Sequence, residues 1–216
     1  QWSAKEGNFV QVTFPGIFPE LTRWEAERDQ YMVTMGQDTW KNDPKQVAQR
    51  LAAKFFKWAP NAPATILSGG GPKDVNAVVQ VKTTFHSNGK INVKLSRLEG
   101  NTANMWVVIG VEDGNGLLTI TSPVKGDRLT SPLTIKGTGG AFEGEIGQAF
   151  ILDHLYTTIG NARVTAGGMG ETPYTTAVNY NSTFKAGVQE GVVAVYSYTP
   201  ADGSLVAAVM VKVLLG

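Results

Sequence analysis

Two periodicities divide the chain. Up to about residue 60, apolar residues recur at helical spacing; from about residue 75 onward they alternate. Leu21, Trp24, Tyr31, Met32 and Met35 form a near-helical stripe, interrupted by a snorkelling Arg28. Pro19 fits a first helical turn, Glu20 suits its positive end, and Gly36 stops the run. This predicts a helix over about 19–35. Asp43, Pro44 and Gln46 have the spacing of a capped helix start. Val47, Leu51, Phe55 and Trp58 then share one face, which predicts a second helix over about 44–58, closed by Pro60.

After the glycine run at 69–71 the period becomes two. Val75, Ala77, Val79 and Val81 read as a strand, and Asn88-Gly89 as a hairpin turn. Ile91, Val93 and Leu95 form the returning strand, and Met105 to Asp113 a third. Two helices followed by an antiparallel meander make an α+β layer over residues 1–116. From residue 117 no helical stripe appears. About seven short strands follow, separated by turn signals such as Gly126-Asp127, Gly160-Asn161 and Asp202-Gly203. In the last strand Leu205, Ala207, Val209, Val211, Val213 and Leu215 share a face. The expected architecture is therefore an α+β domain over 1–116 and an all-β sandwich over 117–216.

Composition narrows the function classes. The 216 residues are 42% hydrophobic, enough to bury a core, and 25 are glycine, which suits a turn-rich chain. Nineteen Lys and Arg against eighteen Asp and Glu leave a net charge of +1, which gives no electrostatic footprint for nucleic acid. The absence of cysteine removes disulfides and thiolate metal sites, and two histidines cannot build a multi-histidine centre. No run of 18 apolar residues is present. The chain starts at Gln1 rather than Met, so the expected form is a mature chain that has lost an N-terminal signal or lipid-anchor segment.

Thr-Ser-Pro occurs twice in twelve residues, at Thr121–Pro123 and Thr130–Pro132, with Gly126-Asp127 between them. With Leu133-Thr134-Ile135, Phe142-Glu143-Gly144 and the terminal strand, this resembles the immunoglobulin-like domain of bacterial spore germination proteins. The resemblance covers about residues 117–216. It implies a small β-sandwich of bacterial envelope and secreted proteins, with no enzymatic activity and no catalytic residues. The first half does not resemble the partner domain often found beside it. Its order of elements is analogous to cystatin-like or NTF2-like layers.

Candidate chemistry is sparse. Ser122 and Lys125 have S-x-x-K spacing, but Pro123 drives Ser122 toward extended backbone, whereas a serine–lysine pair needs a helix. The glycine runs lack a phosphate-loop lysine, and the stretch Val111–Gly116 lacks the acidic ladder of a calcium loop. His86 and His154 read as surface or strand-edge residues, and Asn181-Ser182-Thr183 matches a glycosylation acceptor without meaning in a bacterium. Arg50, Lys54 and Lys57 form a basic stripe, which suits either contact with an anionic surface or simple solvation of the outer helix face. Trp24, Phe55, Trp58 and Trp106 could line a pocket between helices and sheet, or fill the core there.

The resulting expectation is a non-enzymatic, extracytoplasmic binding or structural protein of the bacterial cell envelope, secreted or lipid-anchored, with a sporulation or germination association. Its partners would be an envelope protein or a wall or membrane surface. No nucleic acid, cofactor, metal or catalytic residue is expected. The alternative is a small-ligand-binding protein using the pocket of the N-terminal domain.

Overall fold

The computed structural model describes residues 14–84, 89–141, 143–182, 184 and 187–216. His86, Asn88, Phe142 and Thr183 lie outside the described residues. Helix α1 (Arg23–Thr34) starts later than the sequence suggests. Thr22 caps it: its Oγ1 accepts from the Glu25 N–H at 3.4 Å and donates to the Glu25 carboxylate at 2.7 Å. The expected apolar stripe is split: Leu21, just before α1, is fully buried and Met32 is half-buried, but Trp24 is 70% exposed and Tyr31 and Met35 are nearly as open. The opposite face, Ala26, Asp29 and Val33, is buried instead. Ala26 and Val33 pack with Phe14, Leu98, Met105 and Val107. The Lys41 ammonium, on a single 3-10 turn at Thr39–Asn42, neutralises the buried Asp29.

Helix α2 (Pro44–Phe56) follows its sequence signals closely. Asp43 Oδ1 accepts from the Lys45 N–H at 2.9 Å, and Gln46 Nε2 donates to Asp43 Oδ2 at 3.1 Å. Its buried face is Val47, Ala48, Leu51, Ala52 and Phe56. Four antiparallel strands come next: β1 (Ala64–Gly69), β2 (Asn76–Lys82), β3 (Lys90–Arg97) and β4 (Trp106–Asp113). Strand β1 carries no clean alternation in sequence or burial, which is why the pattern passes over it.

The second half supplies β5 (Arg128–Leu129), β6 (Leu133–Ala141), β7 (Glu145–Leu152), β8 (Thr158–Thr165), β9 (Gly170–Val178), β10 (Gln189–Tyr198) and β11 (Leu205–Leu215). One sheet runs through both halves in the order β1-β2-β3-β4-β11-β10-β7-β8, and the short β5 pairs in parallel with β11. Met210 opposite Val111 joins β11 to β4. The seam continues where Val108 exchanges 2.7 Å hydrogen bonds with Ile17 and Phe18. Strands β6 and β9 form a separate antiparallel ribbon.

The sheet is covered on both sides. On one face, α2 closes a core that draws Val79, Val93 and Trp106 from the first half and Val192, Ala194 and Met210 from the second. On the other face, the β6–β9 ribbon packs Ile135 and Val178 against Ile151, Val193 and Val213. Fully burying one such side chain is worth about 1.5–3 kcal/mol. Strands β10 and β11 are thus buried on both faces, whereas the alternation in β11 marks a single apolar face.

The doubled Ser-Pro punctuates the sandwich. Residues 119–122 run beside β6: Thr119 and Thr121 N–H groups donate to the carbonyls of Thr138 and Lys136, both at 2.8 Å. Pro132 directly precedes β6. A proline lacks the N–H that a ladder needs, so strand starts and ends accommodate it.

Candidate functional site

A cleft of about 650 Å³ opens where the C-terminal turn of α2 faces the outer side of β7 and β10. The helix contributes Lys54, Phe55, Lys57 and Trp58, and the strands contribute Phe150, Leu152, Tyr196 and Tyr198. Gly203, Ser204 and Leu205 close the β11 side. The cleft is therefore built by both halves of the chain.

The walls are an aromatic array. Phe56 meets Tyr196 edge to face at 5.5 Å, and Tyr196 meets Phe150 at 5.1 Å. Trp58 lies 5.6 Å from Phe56 and is itself almost fully buried. Tyr156 reaches in from the turn between β7 and β8. That turn is ordered by Asp153, whose Oδ1 accepts from the Leu155 and Thr157 N–H groups at 2.9 and 2.8 Å. The Tyr156 hydroxyl is placed to donate to the Pro19 carbonyl at 2.9 Å and the Ile17 carbonyl at 3.1 Å. Burial is the first cause raising the Tyr156 phenol, followed by the charges of Glu20, Glu25 and Asp29, so it stays protonated as this donor.

Polar groups are few and specific. The Lys54 ammonium sits 3.7 Å from the centre of the Tyr156 ring, with Phe55 and Phe18 at 5.5 and 5.7 Å. Burial lowers Lys54 from the usual lysine range, and the charge of Glu20 acts in the opposite direction. Lys57 adopts left-handed backbone at the end of α2 and donates from Nζ to the Lys54 carbonyl at 3.1 Å, satisfying one open helix-end acceptor. Ser204 Oγ is buried and makes no hydrogen bond among the described residues.

The four rings expected to line a pocket do not converge. Phe55 and Trp58 line the cleft, but Trp24 stands in solvent on α1, and Trp106 is fully buried in the core. The helical period shows which residues share a face, but not which face meets the sheet. Trp106 lies on β4 within the core that α2 closes. The basic stripe is also divided. The Arg50 guanidinium stacks 4.4 Å over Trp40, beside a neighbouring groove, while Lys54 and Lys57 reach the cleft. Sequence reasoning missed Phe150, Tyr156, Tyr196, Tyr198 and Ser204. One signal was present: Tyr196 and Tyr198 alternate in β10 and so share a face.

The remaining candidates have structural roles. Ser122 exchanges backbone hydrogen bonds with Lys136, as extended chain rather than the head of a helix. Burial lowers Lys125, but no hydrogen bond joins it to Ser122 among the described residues. The Asp113 carboxylate accepts from the N–H groups of Asn115, Leu117 and Leu118, which orders the turn into the second half. His154 Nδ1 bonds Gln189 Oε1 at 2.9 Å, and its ring packs edge-on to Phe184. Among the described residues no cluster of three His, Cys, Asp or Glu could hold a metal, and no helix is long and apolar enough to cross a membrane.

The ribbon-on-sheet packing, the paired Ser-Pro turns and the Glu143-Gly144 turn before β7 together mark the second half. Residues 117–204 match the family model of the immunoglobulin-like domain of bacterial spore germination. Within the matched stretch, Ser122-Pro123 closes the segment that runs beside β6 and Ser131-Pro132 directly precedes β6. The match ends one residue before β11, and the first half lies outside it. No curated protein and no solved structure compared with the chain matches it.

Proposed function

We propose that the protein is a non-enzymatic binding and structural component of the bacterial cell envelope, acting outside the cytoplasm in sporulation or germination. The observation that carries this reading is the germination-type immunoglobulin-like domain at residues 117–204. Its sheet is fused to that of the first half, so the two halves present their surfaces in a fixed relation. A rigid two-part scaffold suits a spacing or assembly role. Ser122, the residue whose spacing raised the question of hydrolysis, serves a backbone bridge. Fractionation of the native host during sporulation tests the placement. Tagged protein should appear in the membrane, wall or spore-integument fraction and be cut by protease added to intact cells. Recovery from the cytosol alone overturns the reading.

A second reading is favoured by one observation. The cleft between α2 and the outer face of β7 and β10 has the size and aromatic lining of a small-ligand site, about 300–1,000 Å³ being usual. On this reading the envelope component is also a receptor, and occupancy of the cleft is communicated to both halves because both build it.

A further inference from the structure

We propose that this cleft binds a small anionic amphiphile, with an apolar body against Phe150, Tyr196 and Tyr198 and a carboxylate or phosphate at Lys54. The proposal rests on the small-ligand reading above and adds the chemistry of the ligand.

Three observations lead to it. The first is the state of Lys54. Among the described residues the two buried ammonium groups have carboxylate partners, Lys41 with Asp29 and Lys212 with Glu190, whereas Lys54 is exposed on α2. Lys54 leans over three aromatic rings, yet no carboxylate reaches ion-pair distance of it among the described residues. Ring faces attract a cation but leave its three N–H donors free for an acceptor. An exposed ammonium at the mouth of an apolar cleft, held over three rings with no ion pair among the described residues and only the more distant charge of Glu20 acting on it, is complementary to an anion.

The second observation is Ser204. Its hydroxyl is buried on the β11 side and lacks a hydrogen-bond partner among the described residues. A buried hydroxyl left without a partner is destabilising. A ligand oxygen in the cleft would meet it. The third is the lining between these groups, where Phe150 and Tyr196 are held by each other and Tyr198 remains partly open. Such a surface fits an alkyl or flat apolar body and offers little to a strongly hydrated one. Lys57 supplies further donors beside Lys54, with one already used on the helix end.

Calorimetric titration of the full chain with decanoate, decyl phosphate and decanol tests the proposal, all below their aggregation concentrations. At least one anion should bind tenfold or more tightly than the alcohol, and which anion does so identifies the head group. Lys54→Gln should erase that preference, so that the anions and decanol bind the variant within about twofold of one another. Arg50→Gln, the same loss of charge on the neighbouring groove, should change affinity less than twofold. Tyr198→Ala should weaken all three ligands, with near-ultraviolet circular dichroism confirming that each variant is folded. Equal binding of anions and alcohol, or a preference that survives Lys54→Gln, overturns the proposal but keeps the small-ligand reading. Lack of saturable binding by all three overturns both.

Discussion

Lys212 offers the sharpest test of how the chain is tied together. It lies on β11 yet faces the helical side, and it is 2% exposed. Its three N–H donors are all used, on the Gly16 carbonyl at 2.9 Å, the Leu21 carbonyl, and Glu190 Oε2 at 2.7 Å. Glu190 Oε1 accepts from the Phe14 N–H at 3.0 Å. One ion pair thus fastens residues 14–21 to the strands nearly two hundred positions later. Burial dominates and lowers Lys212 to about 8, against the favourable charge and hydrogen bond of Glu190. Its folded-state value lies below the unfolded one. The stability it contributes is therefore present above about pH 10.5 and is lost as pH falls through about 8. At neutral pH the charge is buried at a cost, so the pair is a fastening more than a source of net stability. Glu190→Gln leaves the ammonium without a counter-ion and should destabilise by about 3–5 kcal/mol. Lys212→Met strands the carboxylate and two buried carbonyls, with a cost of similar size. The double variant removes both charges, so it should cost about 2 kcal/mol less than the sum of the singles. Urea unfolding at pH 7 measures all three. Additive costs within about 0.5 kcal/mol, or a single substitution below about 1 kcal/mol, would refute the pairing as drawn.

Other expectations follow from particular contacts. Burial first, then the charge and hydrogen bond of Asp29, raise Glu20 to about 7. A raised folded-state value means stability fully present below about pH 4.5 and lost as pH rises through about 7. Discounted because the group is partly solvated, wild type should lose about 1–2 kcal/mol between about pH 5 and 8 that Glu20→Gln retains, read from urea midpoints across that range. Trp24→Ala should shift stability by less than about 0.5 kcal/mol, whereas Trp106→Ala should cost about 3–5 kcal/mol. Equal effects would contradict the orientation of α1. A Cβ on Gly137 would lie 2.0 Å from the Thr119 carbonyl oxygen. Gly137→Ala must therefore push residues 119–122 off β6, and a loss of more than about 2 kcal/mol is expected; hydrogen exchange should show Thr119 and Thr121 deprotected.

Local patterns carried much of the fold. Asp43-Pro44 with Gln46 marked α2, because capping is a contact between near neighbours. Ala77, Val79 and Val81 marked β2, because one buried face imposes a period of two. Helix α1 shows the limit. Its bulky stripe looked like a core face, but small Ala26 permits close packing and Lys41 neutralises Asp29, so the other face was buried. That choice depends on the surface the helix meets. Lys212 was equally hidden, because alternation in β11 identifies one apolar face and says nothing of a partner for the second. The cleft required pairing across most of the chain. Phe56 belongs to a legible helix and Tyr196 to a legible strand, but their meeting depends on β11 joining β10 to β4.

The position of β11 also sets an order of assembly. It lies between β4 and β10 in the sheet but follows both in sequence. On the ribosome, the meander β1–β4 can form early, yet its β4 edge waits for a strand made after all the others described. The second half waits with its β10 edge open for the same strand. A nascent chain therefore carries two unpaired edges at once, each a template for strands of a neighbouring chain. Stalling before residue 205 would leave both edges exposed, and the chaperone demand of this protein should concentrate in that interval of its synthesis.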